Sequence, residues 1–116
     1  MITVCILGPY ASESVYERDL NVEAVRYIGL KVARLGLVPV MPTVETHRFD
    51  HAQDKAFFVD AAKEKIRRSS AVYLVDGSEY SLNTMRLAEY AKEMNIPIFH
   101  SLECLRINYN LDPIGV

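Results

Sequence analysis

Short apolar runs alternate along the chain with longer segments in which apolar residues recur every three or four positions. The short runs are typical of buried parallel strands, and the longer segments have the period of a helix face. We predict strands over Ile2–Leu7, Val38–Met41, Val72–Val75 and Ile96–Phe99. Because strands and helices alternate from end to end, we predict a single α/β domain over residues 1–116.

Three helices and a shorter fourth follow these strands. The first spans Asp19–Leu35 and ends at Gly36, the second spans Asp54–Ser69, and the third spans Leu82–Met94 and ends at Asn95. Ser101 is the expected N-cap of the short last helix. The residues expected to face inward are Ala24, Val25, Ile28, Val32 and Leu35 in the first helix and Phe57, Ala61 and Ile66 in the second.

The economical topology is a flavodoxin-like doubly wound parallel sheet of four to five strands, with helices on both faces and strand order 2-1-3-4. The switch point then lies between the first and third strands. Polar or turn-prone loops follow the first three strands, and ligands bind at this edge of open α/β sheets. We predict the principal pocket there, flanked by the loops over residues 8–19 and 76–81 and closed on one side by residues 43–50.

Composition excludes several classes of function. The formal net charge of −2 argues against binding to a nucleic-acid backbone, and 50% hydrophobic residues in 116 argue against disorder. We expect no membrane segment and no signal peptide, because the first apolar run is too short. The two cysteines, Cys5 and Cys104, fit reduced thiols in the cytoplasm. We assign them neither a metal nor a catalytic role, and we expect no cofactor.

Several motifs in this order resemble the nucleoside 2-deoxyribosyltransferase-like superfamily, above all its short bacterial and phage members. The motifs are Gly8-Pro9-Tyr10, Asn21-Val22 with Ala24, Gly36 with Pro39 and Pro42, Thr46-His47 with Phe49, Asp60, Arg68-Ser69-Ser70, the run from Glu89 to Pro97, and Ser101-Leu102-Glu103. The resemblance covers nearly the whole chain. It implies a pocket for a nucleoside or nucleotide and chemistry at a glycosidic carbon.

The resemblance also implies a glutamate nucleophile early in the third helix and an aspartate just before the third strand. A departing base leaves an oxocarbenium-like sugar that a carboxylate can trap, while a second acid handles the leaving nitrogen. Counted back from Pro97, the expected glutamate falls on Leu87, and the expected aspartate falls on Ser70. The sequence therefore favours a protein that binds, senses or sequesters a nucleotide-type ligand, with lost or altered N-glycosidic chemistry.

Two other functions stay open: an active nucleoside N-glycosidase or deoxyribosyltransferase, and a structural interaction module. For the enzyme, the candidate catalytic residues are Asp60, Asp76 and Glu89. Asp76 also fits an ordinary turn, and Asp60 also fits a surface charge.

The candidate ligand-binding residues are Gly8, Pro9, Tyr10, Asn21, His47, Ser78, Ser81 and Asn83. Tyr10 can stack on a base or bond a sugar hydroxyl, or simply pack over its loop. His47 can reach a phosphate or a ring, or be merely exposed. Ser78, Ser81 and Asn83 can help bind a phosphate at the start of the third helix, although at least one of them is expected to be an N-cap.

Tyrosines are unusually frequent for a chain of this size and are enriched at protein interfaces. Those expected at the surface are Tyr16, Tyr27, Tyr80, Tyr90 and Tyr109. We therefore expect a homo-oligomer that uses the second helix, the third helix or the tail after Arg106.

Overall fold

A computed structural model describes residues 1–49 and 51–113 and contains a four-stranded, all-parallel sheet. The strands are β1 (Thr3–Leu7), β2 (Val38–Val40), β3 (Ala71–Leu74) and β4 (Ile98–Phe99), in the order β2-β1-β3-β4. The predicted strand order and the flavodoxin-like α/β class are confirmed. The chain passes from β1 to β2 on one side and then crosses to β3 on the other, so the switch point lies between β1 and β3.

The helices are α1 (Val15–Arg34), α2 (Pro42–Glu45), α3 (Lys55–Arg67), α4 (Leu82–Glu93) and α5 (Leu102–Asn108), with a 3₁₀ turn over Ser78–Tyr80. The side chains of Ser14, Asp54, Ser81 and Ser101 cap α1, α3, α4 and α5 by accepting a backbone N–H. The start predicted for the first helix was wrong, because the Ser14 cap begins α1 four residues before Asp19. None of the helices among the described residues is long and apolar enough to cross a membrane.

Helices cover both faces of the sheet. On one face, Val4 and Ile6 of β1 pack in a cluster with Val25 and Val32 of α1 and Leu105 of α5. On the other face lies a second cluster, which contains Cys5, Leu7, Ile66, Val72, Leu74, Ala88 and Ala91. Successive side chains of β1 thus enter different clusters, which explains why its sequence is apolar without interruption.

Two residues expected to face inward do not. Ala24 is exposed on α1, whose buried face runs through Val22, Val25, Gly29 and Val32 instead. Phe57 is 48% exposed in the first turn of α3, where it contacts the edge of Phe58. In both helices other apolar residues make the contacts with the core, because packing against the sheet selects one helix face among several apolar positions.

The helix stops and the chain end follow the sequence pattern more closely. Gly36 and Asn95 have positive φ, as expected of residues that end helices. Tyr109 and Leu111 pack on the first cluster, whereas Ile107 is exposed. Ile114 lies outside the described residues.

The Gly29 position in α1 gives a test of packing. A Cβ on Gly29 would overlap the sulfur of Met41. The overlapping sulfur is near the end of a flexible, partly buried side chain, so a shift of Met41 can relieve the contact at a small cost. Alanine stabilises a helix by about 1 kcal/mol relative to glycine. We expect Gly29→Ala to raise the free energy of unfolding, and to raise it further in a Met41→Ala background than in the wild-type chain, as measured by urea denaturation. An equal effect in both backgrounds would show that the two side chains do not compete for space.

Candidate functional site

A cavity of about 430 Å³ opens at the carboxyl edge of the sheet. Gly8 and Tyr10, which follow β1, form one part of its wall, and Pro42 and Thr43, which begin α2 directly after β2, form another. The amino-terminal end of α4 and one side of α3 complete the enclosure. The cavity lies where the strand order and the polar loops predict a pocket.

The cavity wall is aromatic and polar but nearly uncharged. Its aromatic side chains are Tyr10, Phe49 and Phe58. The polar uncharged lining residues are Thr43, Thr46, Gln53, Ser81, Asn83 and Thr84. Lys55 is the only charged lining residue among those that the structure describes, and none of these lining residues carries a carboxylate. Such a wall suits a ligand with a flat aromatic part and several hydrogen-bonding groups.

Four of the predicted binding residues line this cavity: Gly8, Tyr10, Ser81 and Asn83. The Ser81 hydroxyl also caps α4 and accepts the hydroxyl proton of Thr84 at 2.8 Å. One of the expected N-caps is therefore present at the cavity wall.

The other four predicted binding residues do not line this cavity, and one of them, His47, lines a smaller cleft beside it. Asn21 donates its side-chain amide to the backbone carbonyl of Tyr10 at 3.2 Å, so it fixes the loop after β1. Ser78 is buried and donates its hydroxyl to the Val75 carbonyl at 2.6 Å. Pro9 lies beside the turn at Gly77. These three side chains shape the loops of the site and do not line the cavity.

The three candidate catalytic carboxylates also lie off the cavity wall. Asp60 is exposed on α3, and Asp76 is exposed just beyond the end of β3. Glu89 is exposed on α4, where it pairs with Lys92 at 3.3 Å. The helices that carry Asp60 and Glu89 turn other residues toward the cavity: Val59 and Ala62 in α3, and Asn83 and Thr84 in α4.

The two positions at which the resemblance places the family carboxylates are not in the cavity either. Leu87 packs against the cluster that contains Cys5 and Ala88. Ser70 precedes β3, and its hydroxyl accepts the Thr3 N–H at 3.2 Å. Ser70 is therefore at the amino-terminal edge of the sheet, whereas the cavity is at the carboxyl edge.

A chain of hydrogen bonds runs away from the cavity wall. The Tyr10 hydroxyl lies 3.2 Å from Nδ1 of His47, and Nε2 of His47 lies 3.0 Å from Oδ1 of Asp19. Arg48 approaches both oxygens of Asp19 at 3.4 Å. Arg48 has φ of 67°, a left-handed conformation that is unfavourable for a side chain of this size. This backbone turn brings His47 and Arg48 to the same carboxylate.

Residues that the sequence analysis did not single out make up much of the wall. The sequence did not point to three lining residues of α3, namely Phe58, Val59 and Ala62. It also did not point to Lys55, the first residue of α3, or to Gln53 before it. The available signal was the pair Phe57-Phe58 in the first turn of a helix that follows a polar loop, but the pattern favoured Phe57 as the inward residue.

An ion pair joins two elements of the enclosure, α2 and α3. Oε1 of Glu45 in α2 lies 2.6 Å from Nζ of Lys65 in α3. Oε2 of Glu45 also accepts the Met41 N–H at 3.0 Å. Partial burial acts to raise the pKa of Glu45, but these two hydrogen bonds together hold it below its ordinary value. The charged form of Glu45 is therefore the one that ties α2 to α3.

Cys5 lies beneath this ion pair and is protected from reaction. Burial, reinforced by the negative charge of Glu45, raises the pKa of the Cys5 thiol to about 12, although Lys65 and a hydrogen bond with Ser69 act in the opposite direction. Cys104 is exposed. Because the thiolate is the reactive form, both its raised pKa and its burial make Cys5 unreactive, whereas Cys104 is accessible.

We expect a colorimetric thiol reagent at about pH 8 to modify Cys104 but not Cys5 in the folded protein. The measurement is the number of thiols titrated per chain before and after denaturation, expected to rise from one to two. The Cys104→Ser variant, as a control, should show no rapidly reacting thiol when folded. Rapid modification of Cys5 in that variant would contradict the buried, protonated state.

Comparison with protein-family models, curated proteins and solved structures found no match for this chain. The function is therefore inferred from the cavity and its wall. Within the ranges that the structure describes, no three His, Cys, Asp or Glu side chains are grouped to hold a metal ion.

Proposed function

We propose that the protein binds a nucleoside or nucleotide in the cavity at the carboxyl edge of the sheet and does not cleave its glycosidic bond. The observation that carries the proposal is the cavity wall, which combines aromatic and uncharged polar side chains with no carboxylate among its described residues. A protein of this kind senses or sequesters its ligand.

The size and chemistry of the cavity support this ligand class. A volume of about 430 Å³ falls in the range of small-molecule sites. Phe49, Phe58 and Tyr10 offer flat surfaces on which a base can stack. The side chains of Asn83 and Gln53 supply donors and acceptors of the kind that pair with base edges and sugar hydroxyls. The resemblance to the deoxyribosyltransferase-like superfamily favours the same ligands.

The position of the carboxylates supports binding over catalysis. Cleavage of an N-glycosidic bond develops positive charge on the sugar, which enzymes stabilise with a carboxylate close to the reacting carbon. Asp60, Asp76 and Glu89 are all exposed and lie off the cavity wall. An N-ribohydrolase or a 2-deoxyribosyltransferase that uses one of them is the second candidate function.

Two neighbouring phenylalanines provide a matched test. Phe58 lines the cavity, whereas Phe57 is exposed and does not. Loss of a stacked base costs about 1–3 kcal/mol, so we expect Phe58→Ala to weaken binding by at least about fivefold and Phe57→Ala to change it by less than about twofold. The measurement is titration calorimetry on each variant with the nucleosides and nucleotides that shift the melting temperature of the wild type.

The same incubations distinguish the three functions when free base is followed by chromatography. Binding without release of base is the expected result. Base release that disappears in Asp60→Asn, Asp76→Asn or Glu89→Gln would instead establish the enzyme. If no nucleoside or nucleotide shifts the melting temperature, the cavity does not bind this class, and a structural interaction module takes its place.

We also propose a homo-oligomer, and the structure favours α1 as its interface. Apolar side chains spaced three, four or seven residues apart lie along the outer face of α1, with Glu23 between them, at positions where polar residues are usual. They are Tyr16, Leu20, Tyr27 and Leu30, each at least half exposed. The interface expected on the later helices or the tail has less support, because Tyr90 and Tyr109 are partly buried.

A cytoplasmic location is proposed on the two free cysteines.

Light scattering at micromolar concentration tests the α1 interface. We expect the wild type to be larger than one chain and Leu20→Lys to be monomeric, since a charge placed in an apolar contact loses its hydration when the contact forms. Leu82→Lys, at a leucine on α4 that is more exposed than Leu20, should stay oligomeric. A monomeric wild type would refute the oligomer, and a selective effect of Leu82→Lys would move the interface to α4.

A further inference from the structure

The hydrogen-bond chain from Tyr10 to Asp19 fixes which way the Tyr10 hydroxyl points its proton. An ionised carboxylate only accepts hydrogen bonds, so the 3.0 Å contact with Asp19 requires the proton of a neutral His47 to be on Nε2. Nδ1 of His47 is then an acceptor. At 3.2 Å, the Tyr10 hydroxyl must donate to it.

We propose that Tyr10 faces the cavity as a hydrogen-bond acceptor only and thereby selects ligands that present an N–H or O–H group at that point. A tyrosine hydroxyl has one proton, and here that proton is committed to His47. His47 and Asp19 are positioning residues, since neither lines the cavity. The inference deepens the proposed binding of nucleosides and rests on it for the identity of the ligand.

The geometry around His47 supports a fixed chain rather than a chance contact. The Tyr10 and His47 rings are nearly perpendicular, with centroids 5.7 Å apart, and the His47 side chain is only 20% exposed. Arg48 holds the other side of Asp19. A smaller cleft of about 130 Å³ lies on this side, lined by Tyr10, Val15, Arg18, Asp19, His47 and Arg48.

Protonation of His47 would reverse the polarity of the wall. Both ring nitrogens of an imidazolium donate, so Nδ1 would donate to the Tyr10 oxygen and the hydroxyl proton would turn toward the cavity. Among the described residues, the charged side chains that line the cleft beside His47 are the carboxylate of Asp19 and the guanidinium groups of Arg48 and Arg18. The neutral ring is therefore the form in which the wall prefers ligand donors, whereas the imidazolium form would favour acceptors such as a carbonyl or a phosphate.

The tautomer of His47 is the direct test and needs no ligand. In the ligand-free protein at about pH 8, long-range proton–nitrogen NMR correlations should show Nε2 protonated and Nδ1 bare. The chain has three histidines, so His47→Gln assigns the signals and His100→Gln serves as the control. Tyr10→Phe should shift the Nδ1 resonance, and Asp19→Asn should redistribute the tautomers. A proton on Nδ1 in the wild type overturns the proposal.

Analogues of adenosine test the selection itself. The probes are three analogues in which fluorine replaces one sugar hydroxyl, and purine riboside, which lacks the exocyclic amino group. At about pH 8 we expect one analogue to bind the wild type at least about tenfold more weakly than adenosine, because Tyr10 loses its donor partner. The difference should vanish in Tyr10→Phe, shrink in Asp19→Asn, and persist in Tyr80→Phe, at an exposed tyrosine that does not line the cavity.

The outcomes separate this inference from the proposed function. If adenosine binds and every analogue binds equally well, or if the loss persists unchanged in Tyr10→Phe, the selective role of Tyr10 is refuted while nucleoside binding stands. If no nucleoside binds, the proposed function fails, and the His47 tautomer alone decides whether the Tyr10 hydroxyl is an acceptor toward the cavity.

Discussion

β1 is buried on both of its faces, and the arrangement of the loops depends on this burial. Val4, Cys5 and Ile6 have no exposed surface, and alternate side chains enter the two clusters on either side of the sheet. Gly8 continues the close packing at the end of the strand, since a Cβ there would come within 3.0 Å of Val25 and 3.3 Å of Val75. The chain can become polar only beyond this point, which brings Tyr10 to the carboxyl edge of the sheet.

The cavity follows from the same constraint. Because helices must cover both faces, α3 and α4 pack against the second cluster, and the start of each contributes side chains to the edge of the sheet. Both helices keep their acidic residues toward solvent, where hydration is retained. At this edge of the sheet the described part of the wall consists of aromatic and uncharged polar side chains, with Lys55 as its one charged residue.

Polar interactions then connect the wall to the elements behind it. Asn21 of α1 holds the Tyr10 backbone, and His47 links the Tyr10 hydroxyl to Asp19, also of α1. Glu45 and Lys65 join α2 to α3 on the other side. The cavity wall is supported by side chains of the neighbouring helices, and such support is what keeps a binding group in one orientation.

By itself, the sequence determined the alternation of strands and helices, the parallel order of the sheet and the edge at which the cavity opens, because these depend on local periodicity and on general rules of chain connection. Only the tertiary structure decided that Phe58 rather than Phe57 faces the cavity and that Leu87 packs against the core, since a helix with several apolar positions is oriented by what it packs against. Tyr10, His47 and Asp19 are likewise distant in sequence. Their hydrogen bonds exist only because the fold brings the loop after β1, the segment after α2 and the first turns of α1 together.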